Sequence, residues 1–165
     1  DIIAQKTFEN FGASPIPVSI ADVMTSIQTG MSDTVYATPA TILPLGWHKK
    51  MNYILDIPIT YGTGAVLISK EVIERMDNQT KDIFLKTAKK YFSDLNKISR
   101  QDNLKSLELL KKQLKPTKPK KLEEFEEISI KTRKELVSFY GSNLLEKIEK
   151  ELTVYRNVKS KNNKN

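Results

Sequence analysis

The sequence predicts an α/β front part followed by an all-α back part, and three observations carry that prediction. Five of the six glycines and five of the seven prolines lie before residue 81, where short apolar segments alternate with turn residues. Residues 15–37 read as strand, helix, strand. From residue 81 onward Leu, Ile and Phe recur between Lys and Glu at the spacing of amphipathic helices. The shift in composition places the boundary near residue 78.

Along the chain, a first helix carries Ile2, Ile3, Phe8 and Phe11 and ends at Gly12. PIPV (15–18) is β-branched and proline-edged, the pattern of a short strand. Ser19 suits the N-cap of a helix, with Asp22 three residues on in a capping-box arrangement. Ile20, Val23, Met24 and Ile27 supply one apolar stripe, and Gly30 suits the C′ position, where glycine enters the left-handed region cheaply. DTVYA (33–37) is the next strand, and a helical crossover makes the two strands parallel. A helix is predicted around residues 40–49, then extended segments MNYILDI (51–57) and GAVLIS (64–69). Ser69 caps a helix with Glu71 and Glu74 in its first turn, ending near Asp77–Asn78.

Four helical patterns follow. The first holds Ile83, Phe84, Ala88, Tyr91, Phe92, Leu95 and Ile98, and the second Leu104, Leu107, Leu110 and Leu114. KPTKPKK (115–121) is a basic, proline-broken connection. The third holds Leu122, Phe125, Ile128, Leu136 and Tyr140, ended by Gly141. The fourth holds Leu144, Leu145, Ile148, Leu152 and Tyr155. Residues 157–165 are polar and basic, the composition of a disordered tail.

Composition narrows the function. With no cysteine there is no disulfide, thiolate nucleophile or cysteine metal site. The unbroken apolar stretches, such as AVLI (65–68), are far too short to span a membrane. The chain opens at Asp1 without a basic, apolar leader, so it reads either as a chain whose leader was removed or as a piece of a longer one. Net charge is +7 but unevenly placed, −3 over residues 1–80 and +10 over the remainder. Lysines interleaved with glutamates read first as a solvated helical surface. A basic binding module for nucleic acid or an acidic partner, using Lys111, Lys112, Lys115, Lys118, Lys120 and Lys121, is the alternative.

An enzyme is not nominated. His48 is the single histidine and sits beside Lys49 and Lys50, as on a helix surface. YGTGA (61–65) lacks the third glycine and the lysine of a phosphate-binding loop. Glu123, Glu124, Glu126 and Glu127 are a helix charge run. No metal site or cofactor is expected. The strand end at Tyr36, Ala37, Thr38 and Pro39 is different. Ligands of parallel α/β sheets bind beyond the carboxyl ends of the strands, and small polar residues with free backbone N–H groups there suit an anion or a hydroxylated ligand. Ser19 would stand at the same end of the neighbouring strand.

The runs FENFGASPIPVSIADVMTSIQTGMSDTVYATP, GW, MNYILDIPITY and GAVLISKEVIERM resemble the solute-binding proteins of TRAP (tripartite ATP-independent periplasmic) transporters. Gly12, Pro15, Pro17, Gln28, Thr29, Gly30, Asp33, Trp47, Tyr53, Ser69 and Lys70 stand at matching places, and LLEKIEKELTVYR (144–156) resembles the family's closing segment. The resemblance implies a periplasmic-binding-protein-like lobe with a parallel or mixed sheet, then a helical carboxyl-terminal region, together part of a two-lobed clamp. On that reading residues 1–78 belong to the ligand-binding lobe and 79–156 form the helical region. Residues 81–99 are then the helix that spans the hinge.

The implied function is a non-enzymatic periplasmic receptor that captures a small organic acid and delivers it to the membrane permease subunits of a TRAP transporter, with no nucleic-acid partner. Family members run to about twice this length, so the resemblance implies a missing amino-terminal lobe that carries the ligand-pairing arginine. Apolar surface left uncovered by that lobe predicts self-association. Ala37 stands where the family often has an asparagine that touches the ligand carboxylate. The pocket implied here is Ser19, Tyr36, Ala37, Thr38, Pro39, Trp47, Pro58 and Tyr61, more aromatic and suited to a larger or less charged acid. Asp33 braces the turn after Gly30 on this reading.

Overall fold

The computed structural model describes residues 2–60, 62 and 64–162, with side chains as far as Arg156. Two compact units emerge: one from residues 1–17 with 119–165, the other from residues 18–118. The composition boundary at residue 78 therefore falls inside the second unit.

The first unit is helical. α1 (Ile2–Asn10) ends in a Schellman turn, in which Gly12 (φ +80°) and Ala13 donate to the carbonyls of Glu9 and Phe8 at 2.9 Å each. α1 packs on α6 (Leu122–Glu135) through Phe11 and Phe125, whose rings lie 4.6 Å apart at 46°. Asn10 Nδ2 donates to Thr132 Oγ1 (3.0 Å) and Glu135 Oε2 (2.8 Å), so the last residue of α1 is tied to the last turn of α6. The buried Leu136 joins α6 to α7 (Val137–Tyr140). Gly141, at φ +78°, turns the chain into α8 (Ser142–Asn162), which runs past the residue 156 at which the sequence ended its last helical pattern.

The second unit corrects the predicted strand–helix–strand. α2 spans Val23–Gln28 and begins four residues after the expected cap. Ser19 instead closes a turn, its Oγ donating to Asp22 Oδ2 at 2.6 Å while its carbonyl accepts from the Asp22 N–H. Ile20 is left outside the helix and exposed. Gly30, as expected, takes φ +74°, and the reversal lets Ser32 bond back to Ser26 by backbone and side chain. PIPV and DTVYA are not strands. Pro15 and Pro17 remove alternate N–H groups, so one edge of that segment has no donors. A strand exists only with a paired neighbour, and among the described residues the ladder forms between residues 53–55 and 115–117 instead.

The predicted helix over 40–49 becomes a single turn, α3 (Pro39–Ile42), then a 3-10 turn at Trp47–Lys50 entered through Gly46 at φ +71°. β1 (Tyr53–Leu55) keeps only the middle of the predicted 51–57 strand, and 64–69 is irregular. α4 (Lys70–Glu74) starts as predicted, Ser69 Oγ accepting from the Val72 N–H. The first two helical patterns of the back half are one helix, α5 (Asn78–Gln113). No glycine or proline interrupts those 36 residues, so nothing stops the helix before Pro116. It is about 54 Å long.

The parallel pair that the sequence placed at residues 15–37 is formed elsewhere. β2 (Lys115–Thr117), inside the basic connection, runs parallel to β1 with Tyr53 opposite Lys115 and Leu55 opposite Thr117. Pro116 is tolerated because the ladder uses its neighbours: Lys115 N–H donates to the Asn52 carbonyl (3.0 Å), and Asp56 N–H to that of Thr117 (2.7 Å). The Lys111–Asp56 ion pair (2.5 Å) fastens the last turns of α5 to the end of β1. Among the described residues of this unit, Val23, Ser26, Trp47, His48, Leu110 and Leu114 are buried.

Asp77 caps α5, accepting from the Thr80 N–H (2.9 Å) and the Thr80 hydroxyl (2.7 Å), and these bonds hold its carboxyl below the usual pKa. A depressed pKa means the cap stabilises the helix above the unfolded-state value and is lost as pH falls through the folded one. Asp77→Ala should speed hydrogen exchange in the first turns of α5 at neutral pH. The difference from wild type should vanish at acid pH, where Asp77 is itself protonated.

Candidate functional site

The segment 36–39 enters α3, and its chemistry follows from how the helix N-terminus is satisfied. Four N–H groups at a helix start have no intrahelical partner. Here Pro39 has none to offer. Ala40 N–H donates to Asn103 Oδ1 of α5 at 3.2 Å. Thr41 and Ile42 N–H both donate to the Thr38 carbonyl, at 2.9 and 3.0 Å. The backbone donors of residues 40–42 are thus already engaged, and an anion held by those amides is not what the geometry offers. What remains for a ligand is side-chain surface.

Tyr36 is 43% exposed and Thr38 is exposed, while Ala37 and Pro39 are half-buried. Thr38 Oγ1 shares a 2.9 Å hydrogen bond with Thr41 Oγ1 rather than capping α3. Trp47 is only 4% exposed and belongs to the interior beside α2. Ser19 is exposed and bonded to Asp22, Pro58 is exposed after β1, and Tyr61 lies outside the described residues. The structure therefore places Tyr36–Pro39 at the entry to α3, which packs on α5. Among the described residues, no hydrogen bond ties Ser19 or Pro58 to that cluster.

Two residues were misjudged or missed. His48, expected on a surface, is 7% exposed, and its buried Nδ1 has no hydrogen-bond partner among the described residues. The 3-10 turn after Gly46 points both Trp47 and His48 inward, which a helical reading of 40–49 hides. The sequence stripe runs through Leu104 and does not single out Asn103. In the structure Leu104 is 63% exposed, whereas Asn103 and Leu107 are half-buried on the same face as Leu110. The available signal was a polar residue at i−4 and i−7 from two core leucines.

The basic cluster is partly consumed by the fold. Lys111 pairs with Asp56, Lys115 lies 5.9 Å from the centre of the Tyr53 ring, and Lys121 bonds Glu124 at 2.6 Å. Lys112, Lys118 and Lys120 are exposed. Lys115 and Lys121 are exposed as well, and five lysines divided between the end of α5 and the connection, two of them already engaged within the chain, are a weak footprint for nucleic acid.

Comparison with known proteins agrees with this picture. The profile of bacterial extracellular solute-binding protein, family 7, matches residues 2–138. A solved TRAP periplasmic solute-binding protein from Sulfitobacter sp. NAS-14.1, with bound β-D-galacturonate, shares the fold at TM-score 0.66 and 17% identity. The match covers 84% of this chain and 46% of that one, so the chain spans about half the length of that relative. A search of curated proteins finds no match.

The single tryptophan gives a direct probe of the interior beside α2. Trp47 emission should be blue-shifted and shielded from iodide. Trp47→Ala should lower unfolding free energy by about 3–5 kcal/mol in urea titrations.

Proposed function

This chain belongs to the bacterial extracellular solute-binding proteins, family 7, and from that premise we propose that it is the carboxyl-terminal part of a periplasmic TRAP receptor for a small organic acid. The match over residues 2–138 is the observation that carries the reading. Tyr36, Ala37, Thr38 and Pro39, on the turn into α3, are the ligand-facing residues, with Ser19, Pro58 and Tyr61 completing the pocket. Trp47 supports the turn from the interior. The engaged amides of α3 support a ligand held by aromatic and hydroxyl contacts here, with its carboxylate paired by a cation of the amino-terminal lobe. The galacturonate in the solved relative makes sugar acids the first ligands to try. The loaded receptor hands its ligand to the permease subunits in the membrane, and no step breaks a covalent bond.

The middle of α5 fits the same reading. Tyr91, Leu95 and Ile98 are 65%, 52% and 54% exposed, an apolar stripe along residues that touch little else. In the clamp this stripe is the hinge-spanning surface, covered by the other lobe. It also gives the isolated chain a sticky face.

Two measurements test this. A longer protein carrying the upstream lobe should bind β-D-galacturonate or a related acid by calorimetry, and Tyr36→Ala should weaken it about tenfold or more. The 165 residues alone should bind far more weakly, and micromolar binding by them would overturn the need for the second lobe. Salt-steep capture of nucleic acid, with no acid bound by the longer protein, would favour the basic-module alternative. In sedimentation analysis the isolated chain should self-associate, and Leu95→Glu with Ile98→Glu should shift it towards monomer.

A further inference from the structure

We propose that Asn103 is a positioning residue that sets the placement of the Tyr36–Pro39 turn relative to α5. The inference rests on the ligand-binding reading above for its functional consequence, but its structural content is independent of it. α5 presents Asn103, Leu107, Leu110 and Leu114 to the body of its unit, with Leu110 fully buried and Leu114 at 8% exposure. An asparagine in that row displaces a leucine that lies one position away and points to solvent. The buried leucines set the rotation of α5, and at about 100° per residue Asn103 falls in the middle of the face they define while Leu104 falls about a quarter turn outside it.

What Asn103 provides is the acceptor for the Ala40 N–H. Thr38 occupies the N-cap, but its hydroxyl is committed to Thr41, and Pro39 supplies no donor. Without Asn103 the Ala40 amide would face a half-buried interface with no acceptor, at a helix of a single turn with no residual stability of its own. α3 packs against α5, and this is the one side-chain hydrogen bond described between the two. It joins residues 63 apart in sequence. Any shift of α5 along its axis is thereby transmitted to the main chain two to four residues beyond Tyr36 and Thr38.

The test compares Asn103→Ala, which removes the acceptor, with Asn103→Asp, which keeps one, and with Leu104→Ala as a neighbouring control. In the 165-residue chain, hydrogen exchange at Ala40 and the adjoining α3 amides should accelerate about tenfold in Asn103→Ala. Exchange should stay near wild type in the other two, while the amides of β1 and of the α5 core keep their protection. Unchanged exchange at Ala40, or a loss spread evenly over the unit, overturns the positioning role. In the longer receptor with β-D-galacturonate as the probe, Asn103→Ala should weaken binding about tenfold and Asn103→Asp should restore it. Local loosening of α3 with unaltered galacturonate affinity overturns the link to the ligand. A wild-type receptor that binds no sugar acid counts against the proposed ligand class, and the exchange at Ala40 then decides the positioning role alone.

Discussion

Thirty-six consecutive residues without glycine or proline form one helix, and the second unit is arranged on the face that α5 turns inward. That face is set at its carboxyl end, where Leu110 and Leu114 are buried and Lys111 pairs with Asp56 beyond β1. Pro116, which keeps the helix from running on, is the middle residue of the strand that pairs with β1, so helix, reversal and sheet are fixed within a few residues. α3, held through Ala40 and Asn103, then takes its place against the same helix.

The middle of α5 obeys no such constraint. Residues 89–102 are exposed around the whole helix, although Tyr91, Leu95 and Ile98 keep the spacing of a packing stripe. A stripe of that kind is stable in water only if the helix is anchored elsewhere, as the Asp77 cap and the Leu110 end anchor this one. The buried apolar set of the chain is small for its length, and its exposed apolar set is large. Both features suit a lobe whose remaining contacts come from another part of a clamp.

On the proposed reading, the occupied amides of α3 leave recognition at this turn to the side chains. A helix start whose first-turn amides at residues 40–42 are engaged offers little there to an anion. The exposed tyrosine and threonine offer a ring face and a hydroxyl, a chemistry matched to polyhydroxylated or aromatic-faced acids better than to small dianions.

What the sequence determined by itself was local. Gly12 and Gly30 stop the first two helices, Ser69 caps α4, and Gly141 divides the last helices, because each depends on a few neighbouring backbone groups. The family was also legible, since glycines, prolines and the Gln28-Thr29-Gly30 turn stand at fixed places along the chain. Tertiary structure decided the rest. Whether PIPV or DTVYA becomes a strand depends on a partner that lies beyond the segment, and the parallel pairing went instead to residues 53–55 and 115–117, which α5 brings together. Whether Asn103 or Leu104 faces inward depends on how α5 is rotated by its buried leucines. Burial of His48 and Trp47 depends on a 3-10 turn entered through Gly46. Periodicity reports a face without saying what lies against it, and the acceptor that holds the candidate site comes from residue 103, far outside any local window.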